Sequence, residues 1–222
     1  MQKAVQRILF RFKKNQPPRK SKAQSLVEVA IAFPILIMLF GGVVEFGFIL
    51  NFYLSLLDAT RDAARLYSGG DPLDSTYFDA IHGQDTFYYE AAYMVQRTLD
   101  PTIDDVNYQG RRILLDPARD DVIVSVYGAT GNVVTDLRTN GPYHLFPTAG
   151  SAGHYPSVFT ASNIESTRVS NAPNAGILVV EIHYNYHHVL NLPWMTAFLP
   201  NPLHLQAYSI MPLRAAEPDS SP

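Results

Sequence analysis

Cysteine is absent from all 222 residues. Disulfides and thiolate chemistry are thereby excluded, and any extracytoplasmic part must be held by an apolar core or by neighbours in an assembly. Lysine is absent after Lys22, and acidic residues are absent before Glu28. Both absences reflect one segregation. Residues 1–23 carry eight basic groups, whereas the remainder carries nine Arg and all twenty Asp and Glu, a formal charge of −11 hidden inside a chain total of −3. A body this acidic excludes nucleic acid as a general electrostatic partner. A basic N-terminus ahead of an apolar run is the positive-inside pattern, with residues 1–23 expected in the cytoplasm and the C-terminal part outside. The same basic tail suits anionic membrane lipid.

Ionisable side chains are also absent from Val29 to Val44. With Phe46–Leu50 this stretch reaches the roughly 20 residues that a membrane span needs. The apolar run from Leu26 to Leu57 is too long for a cleaved secretory segment. Continued to Tyr67 it reads as one helix of about 42 residues, or roughly 60 Å at 1.5 Å per residue. That is about twice the hydrocarbon thickness, so the distal part is expected to leave the membrane as an amphipathic stalk. Gly69-Gly70 followed by Asp71-Pro72 is a strong stop signal. Pro34 removes one backbone hydrogen bond and is expected to kink or loosen the helix. Glu28 and Glu45 flank the uncharged stretch, where a carboxylate is costly and usually faces a partner. Water at the outer interface is the plain alternative for Glu45.

Sequence patterns of known chemistry are missing as well. Gly128-x-x-Gly131 has no following Lys-Ser/Thr and is not a phosphate loop. Ser151 and His154 have no nucleophile elbow around them. Asp104-Asp105 and Asp120-Asp121 lack calcium-loop spacing and read as turn residues. His183, His187, His188 and His204 lie close enough to suggest a metal, but without cysteine or a well-spaced carboxylate they read as surface imidazoles. The expectation is no enzyme, no cofactor and no metal site.

What is present beyond residue 70 reads as an α+β domain. Phe87, Ala91, Val95 and Leu99 form one stripe at i, i+4 spacing, giving a helix over Thr86–Leu99 with Asp85 as its cap and Asp100-Pro101 as its end. Asp121–Tyr127 and Asn132–Leu137 read as a hairpin around Gly128–Gly131. Leu178–Tyr186 and Leu203–Leu213 alternate like half-buried antiparallel strands. The Pro-rich apolar link Leu192–Pro202 between them suits the membrane surface or a partner. Residues 139–176, rich in Gly, Ser, Asn and Pro, are expected as an irregular loop, and Glu217–Pro222 as a disordered tail.

Three pieces of the N-terminal third occur in an informative order. They are Ala23-Gln24-Ser25-Leu26-Val27-Glu28 leading into an apolar helix with Pro34, then Gly41-Gly-Val-Val-Glu45-Phe-Gly47, then Asp58-Ala-Thr-Arg61-Asp-Ala-Ala64-Arg65. Together they resemble TadE-like proteins, minor pilin-like components of tight-adherence (Tad, or Flp) pilus systems. The resemblance covers about residues 19–70. It implies a leader removed by a membrane prepilin peptidase just before the apolar helix, with Glu as the fifth residue after the cut. A cut between Ala23 and Gln24 makes Glu28 that residue, able to balance a new α-amino group on a neighbouring subunit. Ala23 stands where the family normally has Gly. The implied partners are other pilin-like subunits, Tad assembly platform proteins and the peptidase.

The reading is therefore a basic leader at 1–23, a transmembrane and stalk helix at 24–70, an extracytoplasmic α+β domain at 71–214 and a tail at 215–222. Its expected role is that of a TadE-like minor pilin or pseudopilin. The alternative is an uncleaved bitopic protein whose outer domain adheres or senses.

Overall fold

The protein was analysed as a computed structural model, which describes residues 22–74, 78–130, 133–148, 152–168 and 175–213. The leader at 1–21, Ser151 and the tail from 214 lie outside the described residues. The chain separates into two compact units, divided between Val44 and Glu45.

The first unit is the N-terminal part of helix α1, Lys22–Tyr67, which continues through Pro34. From Leu26 to Phe40 every large apolar side chain is at least 45% exposed. A helix this apolar with no protein around it within its own unit is built for a lipid environment.

The second unit takes up the rest of α1. Ile49, Phe52, Leu56, Ala59, Ala63 and Tyr67 recur every three or four residues and form one stripe. Leu56, Ala59 and Ala63 are fully buried, and Ile49, Phe52 and Tyr67 pack on the same cluster. One stripe of residues 45–67 is thus part of the domain core, in the segment the sequence suggested as an amphipathic stalk. Each large apolar side chain buried there contributes about 1.5–3 kcal/mol. Helix α2, Thr86–Leu99, spans the expected residues and buries Phe87, Ala91, Val95 and Leu99. Asp85 precedes it but makes no side-chain cap. Its carboxylate instead receives two hydrogen bonds from Arg138, at 2.7 and 2.9 Å.

The strands are β1 (Asp121–Thr130), β2 (Val133–Asp136), β3 (Tyr143–His144), β4 (Ala175–Tyr186) and β5 (Leu203–Leu213). The sheet is antiparallel in the order β2-β1-β4-β5, with β3 pairing the same edge of β1 beyond β2. The α+β class is as expected. Register pairs Val124 with Val180 and Val180 with Ser209. This places Val122, Val124, Val126, Leu178, Val180, Ile182, Leu205 and Ala207 in the core shared with α1 and α2.

The opposite face departs from the expected half-buried sheet. Residues 139–176 hold β3, a short helix α3 (Ala161–Arg168) and the start of β4 besides irregular backbone. Ile164 of α3 packs with Tyr127, Ala129, Val134 and Val179, and Phe159 joins them. The Tyr127 hydroxyl donates to the Phe159 carbonyl at 2.8 Å. Strand β4 is consequently covered on both faces, which its alternation alone does not reveal. Two polar groups become buried with it. Glu181 is fully buried and accepts from the Ser157 hydroxyl and from Val158 N at 3.0 Å. Asp121 is fully buried and bonds His144 Nδ1 at 2.8 Å and His154 N at 3.2 Å. Asp121 is therefore a strand residue, not a turn residue, whereas Asp120 closes the turn from Asp116: its N–H donates to Asp116 O at 2.8 Å, and its buried carboxylate joins Asp116 N at 2.7 Å to Asn185 N at 2.8 Å.

Candidate functional site

The residues singled out from the sequence lie along α1. Gln24, Ser25, Leu26, Val27 and Glu28 form its early turns and are exposed, and Ala23 is helical. Glu28 Oε1 accepts from Gln24 Nε2 at 3.3 Å, one helical turn before it. Pro34 and Gly41 follow within the first unit. Gly47, in the second unit, has open space where a Cβ would stand. Arg61 and Arg65 are exposed near the far end of α1, where they line a shallow groove with Tyr208–Met211 of β5. Arg61 approaches Asp58 only to 3.8 Å, on the surface, a contact worth little.

Glu45 behaves differently from Glu28. It is fully buried, and so does not reach water. Its Oε1 accepts from the Tyr186 hydroxyl at 2.6 Å and from Val189 N at 2.9 Å, and its Oε2 from Leu190 N at 2.9 Å. Burial, and then the adjacent carboxylate, push the Tyr186 phenol above its ordinary pKa. A carboxylate with both oxygens engaged by short, directed donors is held by charge-assisted bonds. Glu45, expected alongside Glu28 as a packing or charge-pairing group, thus finds its partners within its own unit. It fixes the start of that unit's helix to the end of β4 and to the chain just beyond it. Tyr186 and the 189–190 backbone were not found from sequence: they lie 141 to 145 positions from Glu45, and no local pattern links them.

The four histidines divide between interior and surface. His183 and His188 are buried, and only His187 and His204 are exposed. His183 Nδ1 lies 3.1 Å from His204 Nε2, and Tyr155 stacks on both rings at 4.7 and 4.6 Å. Burial, reinforced by His204, lowers the His183 pKa to about 4, so this pair is neutral at pH 7. Burial raises the Glu181 carboxyl above its ordinary range, while Ser157 and Val158 pull the other way. Among the described residues no group of three or more His, Cys, Asp or Glu is arranged to hold a metal ion. The two rings and Tyr155 form a packed aromatic stack.

Among the described residues a continuous run of exposed large apolar side chains, Leu26–Phe40, and the Gln24–Glu28 segment thus lie together in α1. The family model for TadE-like protein matches residues 23–65. This segment is TadE-like. The match begins at Ala23 and ends at Arg65, so it holds Glu28, Glu45, Gly41, Gly47 and both arginines. The match covers less than half of the chain and shows the likeness over this segment. Neither a curated protein nor a solved structure matches the chain. Among the described residues one helix, Gln24–Tyr67, is long and apolar enough to cross a membrane, consistent with a single-pass membrane protein.

Proposed function

We propose that the chain is a TadE-like minor pilin or pseudopilin that joins other pilin-like subunits of a Tad pilus, or its assembly platform, through the N-terminal part of α1. The observation that carries this reading is the TadE-like match over a helix whose large apolar side chains are exposed from Leu26 to Phe40. In a bilayer such a surface is compatible with lipid and with copies of similar helices. Helices of this kind associate by close packing and by polar groups that find partners across the contact. Glu28 is the polar group available for that contact, whereas Glu45 is already engaged.

The basic residues of 1–23 hold the N-terminus in the cytoplasm, with the α+β domain outside. A prepilin peptidase cuts between Ala23 and Gln24, and the Glu28 carboxylate of one subunit then balances the new α-amino group of another. The cut also removes the basic residues that oppose close packing of helices. Ala23 in place of Gly favours a second reading, in which the chain stays uncut as a bitopic protein with an adhesive or sensing outer domain. Intact-mass measurement of the chain isolated from membranes separates the two. A mature chain beginning at Gln24 supports processing, and a chain retaining Met1 contradicts it.

A further inference from the structure

The segment after β4 has no assigned role. Residues 189–203 contain no charged side chain and include the only tryptophan of the chain, Trp194. Phe198 is 81% exposed, Val189 50% and Leu190 37%, although the segment is ordered by its own hydrogen bonds. Met195 N donates to Leu192 O and Leu199 N to Met195 O, both at 2.9 Å, and the Met195 side chain is buried beneath them. A well-formed turn that turns Phe and Val outward needs an apolar neighbour.

Glu45 gives the depth of this turn. The stretch without ionisable side chains, Val29–Val44, is about 24 Å long as a helix, and with Phe46–Leu50 it reaches the roughly 20 residues of a membrane span. Glu45 follows Val44 directly and so lies towards the C-terminal end of that span. Its carboxylate holds the backbone nitrogens of Val189 and Leu190, each at 2.9 Å. The turn is therefore tied, within the second unit, to a residue near the C-terminal end of the apolar run. Trp and other aromatic side chains concentrate at the membrane–water interface because they combine an apolar body with a tolerance for headgroups and water.

We infer that residues 189–199 form a membrane-interface anchor: Val189, Leu190, Trp194 and Phe198 seat in the headgroup–acyl boundary of the leaflet on the domain's side, with Glu45 clamping the loop at that depth. The partner is the bilayer itself. The inference rests on α1 spanning the membrane.

The single tryptophan makes the test direct. The full chain is reconstituted into phosphatidylcholine vesicles whose acyl chains are brominated either close to the headgroup or close to the chain end. Trp194 emission is expected to fall about twofold with the shallow label and clearly less with the deep one, as for interfacial tryptophan. Phe198→Asp, at an exposed position, is expected to remove most of that loss while leaving the circular dichroism spectrum unchanged. Emission that neither label quenches, with full access to aqueous iodide, overturns the inference. So does quenching that ignores the label and varies with protein density, which assigns the turn to contacts between copies. Flotation of the vesicles after alkaline carbonate is the separate check on the span. A chain that fails to float overturns both the span and the anchor, and a chain that floats with an unquenched Trp194 overturns the anchor alone.

Discussion

Glu28 and Glu45 stand on one helix, in one TadE-like segment, and their surroundings are opposite. Glu28 lies among exposed apolar side chains and touches only the amide of Gln24 among the contacts described. Glu45 is fully buried and takes three donors, two of them backbone. The difference shows that an acid near a span has two ways to offset the cost of leaving water. One acid is satisfied inside its own domain and serves its architecture. The other is exposed and meets the side-chain amide one helical turn before it. Spacing in sequence does not distinguish them, but the fold does.

Replacing each acid should separate the roles. Glu45→Ala leaves the Tyr186 hydroxyl and two backbone N–H groups without their acceptor, and is expected to destabilise the outer unit by about 4 kcal/mol. Urea unfolding of the full chain in detergent, followed by near-ultraviolet circular dichroism, reads this loss. Glu45→Gln keeps one acceptor oxygen and should cost about half as much. An unchanged midpoint for Glu45→Ala would remove the architectural role.

Acid should weaken the outer unit through a different buried group. The folded pKa of His183 is about 4, below the ordinary 6.5, because burial disfavours the imidazolium. Its contribution is present above the unfolded pKa and is lost as pH falls from about 6.5 towards 4, by about 3 kcal/mol. Glu181 works in the opposite sense: its folded pKa is raised by burial, so the folded state takes up that proton more readily and gains relative stability as pH falls. His183→Gln should remove only the imidazole part and flatten the slope between pH 7 and about 4.5. A slope identical to the parent protein's would exclude His183 as its source.

A smaller effect is expected at the base of α2. Arg138 joins Asp85 to the carbonyls of Gly141 and Pro142, with bonds of 2.7 to 3.1 Å, and stands over the Tyr143 ring. Arg138→Ala should cost about 2 kcal/mol in the same unfolding experiment. Smallest of all, Glu28→Ala should change the outer unit's stability by less than about 0.5 kcal/mol, as exposed substitutions do.

These predictions also mark what was legible beforehand. Helix α2 announced itself by Phe87, Ala91, Val95 and Leu99, because a four-residue repeat has one structural meaning. The strand identity and antiparallel character of β4 and β5 were expected from alternation. The alternation concealed the second cover over β4, since Glu181 and His183 look like solvent-facing residues until Ser157, Val158 and Tyr155 arrive from a loop with no periodicity. Asp85 had the residue type and position of a helix cap, yet Arg138, 53 residues later, offers a better partner. In the TadE-like segment, Glu28 stood out by its position at the entrance of the apolar run, and its bond to Gln24 is local. The clamp at Glu45 was not legible, because its donors come from the far end of the chain, brought near only when α1 lies on the sheet.

The central claim is that Glu28 acts between subunits while Glu45 acts within one, and co-purification tests it most directly. Full-length tagged chain and its Glu28→Ala variant are extracted from membranes of cells that make the Tad system, at equal expression. The account predicts that the variant inserts normally and keeps its folded outer unit but loses the pilin-like subunits that accompany the parent chain. Unchanged recovery of those subunits with Glu28→Ala would contradict it.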